Sequence, residues 1–145
     1  GNHSTKDDPE GLFWRQRIAP EIGKGGVEYV GPVDDVQKNA LLQQAAAMVV
    51  PIQWNEPFGI VFAEALACGT PVISCPRGSL PEIVRPGIDG FLIGSIEEGC
   101  EAVAKVGALD RSECRRRAVE HFSAPAVTAR YLDLYAKVHA RLAAA

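Results

Sequence analysis

Two apolar runs of strand length, AMVVPI (residues 47–52) and TPVISC (residues 70–75), stand on either side of a segment with helical character. An unbroken apolar run without alternation is what a strand covered on both faces needs. Strands joined through helices pair in parallel, because antiparallel pairs are closed by short turns instead. The same alternation continues along the chain. VEYV (27–30) reads as a short strand broken by Gly31-Pro32, DGFLIG (89–94) as a turn and strand, and a helix through VQKNALLQQAA is capped by Asp34 or Asp35. Asp8-Pro9 opens an earlier helix that Pro20 ends. Three helical stretches follow the last strand, with Ser95, Ser123 and either Asp110 or Ser112 as N-caps. The expectation is an α/β fold with a doubly wound parallel sheet. About four strands are few for that class, and the first element is a helix; a missing leading strand would account for both.

Inside this frame one segment breaks the pattern. Residues 59–68, GIVFAEALAC, are apolar or glycine at every position except Glu64. A helix apolar all round is expected to be buried. A buried carboxylate must be paired, hydrogen-bonded or protonated, so Glu64 is either a structural group satisfied by a neighbour or part of a site. The segment follows the loop NEPFG directly after a strand, and in open α/β sheets ligands bind beyond the carboxyl ends of strands. A helix start offers free amides and the positive end of its dipole, which suit an anion such as phosphate. Gly59 lets that anion approach the backbone. Glu64 lies roughly 7–8 Å further along the axis, about the distance from a diphosphate to a ribose. A carboxylate accepts from two hydroxyls, so a sugar diol fits it. Glu56 lies on the other side of the amides, where a second polyol would sit.

The bulk properties narrow the classes. A chain of 145 residues suggests one domain, and its net charge of −3 gives no nucleic-acid footprint. Arg115, Arg116 and Arg117 read as a solvated helix face or, as the alternative, an anion patch. Cys68, Cys75, Cys100 and Cys114 make no CxxC pair, and no histidine completes a zinc spacing, so a reducing, cytoplasmic compartment is expected. No apolar run reaches membrane-spanning length. GxGxxG and GxxxxGK[ST] are both absent. The opening GNHSTKDDPEG lacks an initiator Met and reads as the inside of a loop, so a piece of a longer protein is expected.

Residues 56–71, EPFGIVFAEALACGTP, resemble the E-P-F-G-x-x-x-x-E-A-x-A-x-G-x-P signature of the retaining GT-B glycosyltransferases of family four, matching every fixed position. VEYVGPVDD, PRGSLPEIVRPGIDGFLI and CRRRAVEHFSAPAVTARYLDLYAKV are similar to flanking stretches of that family, so the resemblance covers nearly the whole chain. It implies a Rossmann-like sheet with helices on both faces, the C-terminal, donor-binding half of a GT-B fold. By resemblance Glu56 bonds hydroxyls of the donor sugar and is the residue assigned to the catalytic centre. The amides around Phe58, Gly59, Ile60 and Val61 hold the diphosphate, Glu64 the ribose, and the backbone near Val33 the base. The implied partners are a nucleotide-diphosphate sugar and, through an absent N-terminal domain, an acceptor sugar or glycoside; no metal or other cofactor is implied. The family's Arg and Lys would precede Gly1, so the chain alone is expected to be inactive, and a surface left bare by the absent domain would favour self-association.

Other residues carry weaker signals. Trp54 and Phe58 are either the wall of a sugar pocket or core. Arg77 reads as structural or solvated, Glu82 as a helix-start carboxylate, and His121 and His139 as surface groups. Two other functions compete: a non-catalytic nucleotide-sugar binding or regulatory module, and a GT-B enzyme of the epimerase kind.

Overall fold

The computed structural model describes residues 11–143. They divide into two compact units after Lys38. Among the described residues of the first unit, a wide helical turn, Trp14–Ile18, tightens into a 3-10 turn over Ala19–Glu21 containing Pro20. Pro20 therefore sits where the helix was expected to stop; the Asp8-Pro9 start lies outside the described residues. Trp14 packs edge-on against Tyr29 with ring centroids 4.8 Å apart. Residues 27–30 are not a strand. They join no ladder among the described residues, and Val27 and Val30 are 47% and 60% exposed. Their β-branched composition is right, but the backbone groups of Val27 are used locally: its N–H donates to the Lys24 carbonyl at 2.9 Å and its carbonyl accepts from Gly23 N–H at 2.8 Å, closing a turn instead of a ladder. Asp34 is the cap of helix α1 (Asp35–Gln44), in a reciprocal box: Gln37 N–H donates to Asp34 Oδ1 at 2.8 Å, and Asp34 N–H donates to Gln37 Oε1 at 3.0 Å.

In the second unit three strands, β1 (Met48–Val50), β2 (Val72–Ser74) and β3 (Gly90–Leu92), form a parallel sheet in the order β1-β2-β3. Met48 pairs with Val72, and Val72 with Gly90. Helix α2 (Ile60–Ala67) connects the first pair and the short α3 (Leu80–Ile83) the second. Three more helices follow: α4 (Ile96–Lys105), α5 (Arg111–Phe122) and α6 (Ala124–Ala143). The pleat sends successive β2 side chains to opposite faces. Val72 packs with Phe62, Leu66, Leu80, Ile83 and Cys114 from α2, α3 and α5. Ile73 packs on the other side with Ile93 and with Ala102 of α4. Helices thus cover both faces of a parallel sheet, the Rossmann-like arrangement.

β2 is buried throughout, as its composition requires, but β1 is not. Val49 is 50% exposed, so residues 47–52 are covered on one face only. β1 has a sheet neighbour on one side, and the helix α4 that shields Ile73 stands over β2.

Polar groups lock the frame. Arg111, the first residue of α5, donates to the Ala45 and Gln43 carbonyls at 2.7 and 2.9 Å, satisfying the end of α1. Ser95 caps α4 by accepting from Glu98 N–H at 3.2 Å, and Asp110 caps α5 by accepting from Ser112 N–H at 2.8 Å. Ser123 accepts from Ala126 N–H at 3.3 Å at the start of α6. The three consecutive arginines part ways. Arg115 donates to the Ala67 carbonyl at 2.8 Å, closing the end of α2, and Arg117 donates to the Glu82 carbonyl at 2.8 Å while lying over the Phe122 ring. Only Arg116 stays with surface carboxylates, Glu113 and Glu120. The run is neither a plain solvated face nor an anion patch: two of its members serve as C-terminal caps for neighbouring helices.

Candidate functional site

β1 ends at Val50, and the loop 51–59 leaves its carboxyl end to deliver the chain to α2. Gly59 is the N-cap of α2, in the left-handed region at φ +75°, and no side chain caps the helix. A Cβ there would lie 2.5 Å from the Phe62 ring and 3.0 Å from Glu56 Cγ, so both conformation and space require glycine. Phe62 N–H donates to the Gly59 carbonyl at 3.0 Å as the first turn closes. The amides of Gly59, Ile60 and Val61 precede that bond and have no partner within the helix. The amide cluster expected at this point of the sequence is therefore present, at an open helix start beyond a strand's carboxyl end.

The loop before it is held from the side by the connection after β2. Ser79 N–H donates to the Glu56 carbonyl at 2.9 Å, and Ser79 Oγ donates to the Phe58 carbonyl at 2.7 Å. Gly78 passes so close that a Cβ on it would lie 2.2 Å from the Glu56 carbonyl oxygen and 2.5 Å from its nitrogen. Gly78 and Ser79 are the residues sequence reasoning passed over. They stood inside the quoted PRGSLPEIV stretch, but nothing local to that stretch says that it braces a loop twenty residues away.

Glu56 is half-buried, and its Oε2 accepts from the Trp54 indole N–H at 2.8 Å. Glu64 is half-buried too, which corrects the expectation of a wholly buried helix. α2 buries Phe62, Ala65 and Leu66, while Ile60 is 67% and Val61 37% exposed. Glu64 belongs to that outer side, so the carboxylate in an apolar helix faces a groove rather than the core. The groove, about 340 Å³, is lined by Phe58, Ile60, Glu64, Val119, Phe122 and Ser123. Phe58 stands edge-on to Phe122 with centroids 6.0 Å apart. Both aromatic residues near Glu56 are at the surface: Phe58 is 43% and Trp54 57% exposed, so neither is core. A larger cavity of about 540 Å³, lined by Val49, Cys75, Ile93, Ile96, Cys100 and Val103, holds none of the candidate residues. Val33 belongs to the first unit, one residue before the Asp34 cap, and is 39% exposed. Arg77 is exposed, and Glu82 sits in the first turn of α3. Among the described residues no three His, Cys, Asp or Glu side chains are grouped as a metal would require. No described helix is long and apolar enough to cross a membrane.

A parallel sheet with helices on both faces, feeding an uncapped helix start, places this chain among the Rossmann-like α/β domains. Residues 13–119 match the family described as Glycosyl transferases group 1, and the chain belongs to that family. It is 36% identical over 118 residues to the D-inositol 3-phosphate glycosyltransferase of Streptomyces griseus, covering 81% of this chain and 24% of that protein. With D-inositol 3-phosphate glycosyltransferase 2 of Catenulispora acidiphila it shares 35% identity over 129 residues, or 83% of this chain and 30% of the relative. The chain thus spans a third or less of the length of these curated relatives. Among solved structures it is similar to sucrose-phosphate synthase from Thermosynechococcus elongatus, with a TM-score of 0.65 and 28% identity over 91% of this chain and 34% of the other. Anabaena HepE, solved in complex with UDP-glucose, gives a TM-score of 0.62 at 21% identity over 90% of this chain and 37% of that one, a likeness of fold. These likenesses agree with the Rossmann-like, C-terminal half of a GT-B fold that the sequence resemblance implied.

Proposed function

We propose that this chain binds a nucleotide-diphosphate sugar, as the donor half of a metal-independent, retaining glycosyltransferase. The open start of α2, set between Glu56 and Glu64, carries the reading. The diphosphate would lie on the amides of Phe58, Gly59, Ile60 and Val61, whose partial positive charge suits it. Glu64 would accept the ribose hydroxyls from the groove side, and Glu56 a hydroxyl of the transferred sugar. In transfer, the pair of bonds that matters is the sugar's anomeric C–O bond to the diphosphate and the new one to the acceptor hydroxyl. The amides lower the barrier by holding the charge that grows on the departing diphosphate. The acceptor sugar or glycoside would be held by other parts of a longer protein. Alone, the chain is expected to bind donor without turning it over, and to self-associate at high concentration.

Labelled protein titrated with UDP-, GDP-, ADP- and dTDP-glucose tests this by backbone NMR. Shifts of the residue 58–61 amides with one nucleotide, lost in Glu64→Ala, are the expected outcome, with dissociation constants near the millimolar range, about −4 kcal/mol. An intact spectrum that stays still with all four nucleotides would retire the donor site. Binding unchanged by a chelator is the matching result for metal independence. Turnover restored in a longer form, with the anomeric configuration kept, distinguishes the retaining transferase from a binding module.

A further inference from the structure

We propose that Trp54 is a positioning residue for Glu56, fixing the carboxylate that meets the transferred sugar; the assignment rests on the donor-site reading above. Three constraints converge on Glu56. Its carbonyl accepts from Ser79 N–H at 2.9 Å, with Gly78 packed against the same residue's backbone, so its main chain is braced by the connection after β2. Its stem runs beside Gly59, where a Cβ would come 3.0 Å from Glu56 Cγ. Its Oε2 accepts from the Trp54 indole at 2.8 Å. The first two bring the side chain alongside the start of α2, and the third sets the rotation of the carboxylate itself.

Trp54 contributes little else that the fold needs. It is 57% exposed and belongs to neither apolar cluster of the core. An indole has a single donor and no acceptor, so the bond it makes leaves the lone pairs of Oε1 for a ligand hydroxyl. A glutamate on a loop otherwise samples several rotamers, and a ligand hydroxyl would have to order it on binding. The indole removes that freedom in advance. The consequence is selective: losing Trp54 weakens recognition of the sugar and leaves the nucleotide, held by main-chain amides and Glu64, as it was.

Trp54→Phe keeps a ring and removes the donor. With the nucleotide chosen by the panel above, the ratio of affinities for the nucleotide-sugar and the bare nucleoside diphosphate is measured in the wild type, Trp54→Phe, Glu56→Ala and the double variant. A charge-assisted bond leads us to expect the ratio to fall about tenfold in Trp54→Phe, with affinity for the bare diphosphate unchanged. In the Glu56→Ala background Trp54→Phe should do nothing further, because the two residues act as one unit. Without any ligand, the Trp54 indole resonance should move upfield in Glu56→Ala while that of Trp14 stays put. An unmoved indole resonance overturns the bond. A moved one with an unchanged ratio overturns the positioning role, as does an equal loss for sugar-bearing and bare nucleotides. Failure of the wild type to bind any nucleotide overturns the donor reading and this assignment with it.

Discussion

The two sides of α2 face different surroundings. Its inner side presents Phe62, Ala65 and Leu66, at 1%, 0% and 0% exposure, to the cluster that also holds Val72, Leu80 and Ile83. Its outer side presents Ile60, Ala63 and Glu64 to the groove under Phe58 and Phe122. One eight-residue helix is therefore both a wall of the core and the floor of the candidate site. The inner side fixes where the helix start points, and the outer side decides what that start can bind. A variant on one side should disturb stability, and a variant on the other should disturb binding.

The largest expected effect is on the inner side. Leu66→Ala removes a fully buried side chain and should lower stability by about 3 kcal/mol, read as a shifted denaturant midpoint with little change in slope. If the folded fraction of that variant binds nucleotide as the wild type does, the division between the two sides holds. Gly59→Ala comes next and sits at the seam. It combines a left-handed backbone with the overlap on Phe62, so a loss of about 1–3 kcal/mol is expected together with weaker binding. A stable Gly59→Ala that binds normally would mean that the sharp turn into α2 is not what opens its amides.

Much of this comparison was legible in the residues. Two apolar runs gave the parallel pair, and the acidic or hydroxyl caps at Asp34, Ser95, Asp110 and Ser123 stand where helix starts require them. The open amides after Phe58 followed from a glycine between a loop and an apolar helix. What was not legible depended on partners distant in sequence. An all-apolar helix was read as buried, yet burial follows from what lies opposite each face, and the groove under Phe58 leaves one side open. Residues 27–30 have strand composition but no ladder. Arg115 and Arg117 look like surface charge until the carbonyls of α2 and α3 come within reach. Ser79 brackets Glu56 and Phe58 across more than twenty residues, a contact that no spacing rule announces.

The smallest expected effect concerns a group beneath the inner side, and it sharpens the contrast without touching the site. Cys114 of α5 is fully buried, and that burial pushes its thiol up to about 11. Burial disfavours the thiolate, so the folded state holds the proton more tightly than the unfolded chain. The stabilising contribution is complete below the ordinary thiol value near 9 and is lost as pH rises through about 11. Cys100 is exposed on α4, outside that cluster. Native protein treated with an alkylating reagent at mildly alkaline pH should therefore modify Cys100 readily and Cys114 only through unfolding, because the thiolate is the reactive form. Nucleotide affinity should not change on modification of Cys100. Rapid labelling of Cys114 would show that the layer under α2 opens on its own, and the helix start above it could not then be a fixed platform for a diphosphate.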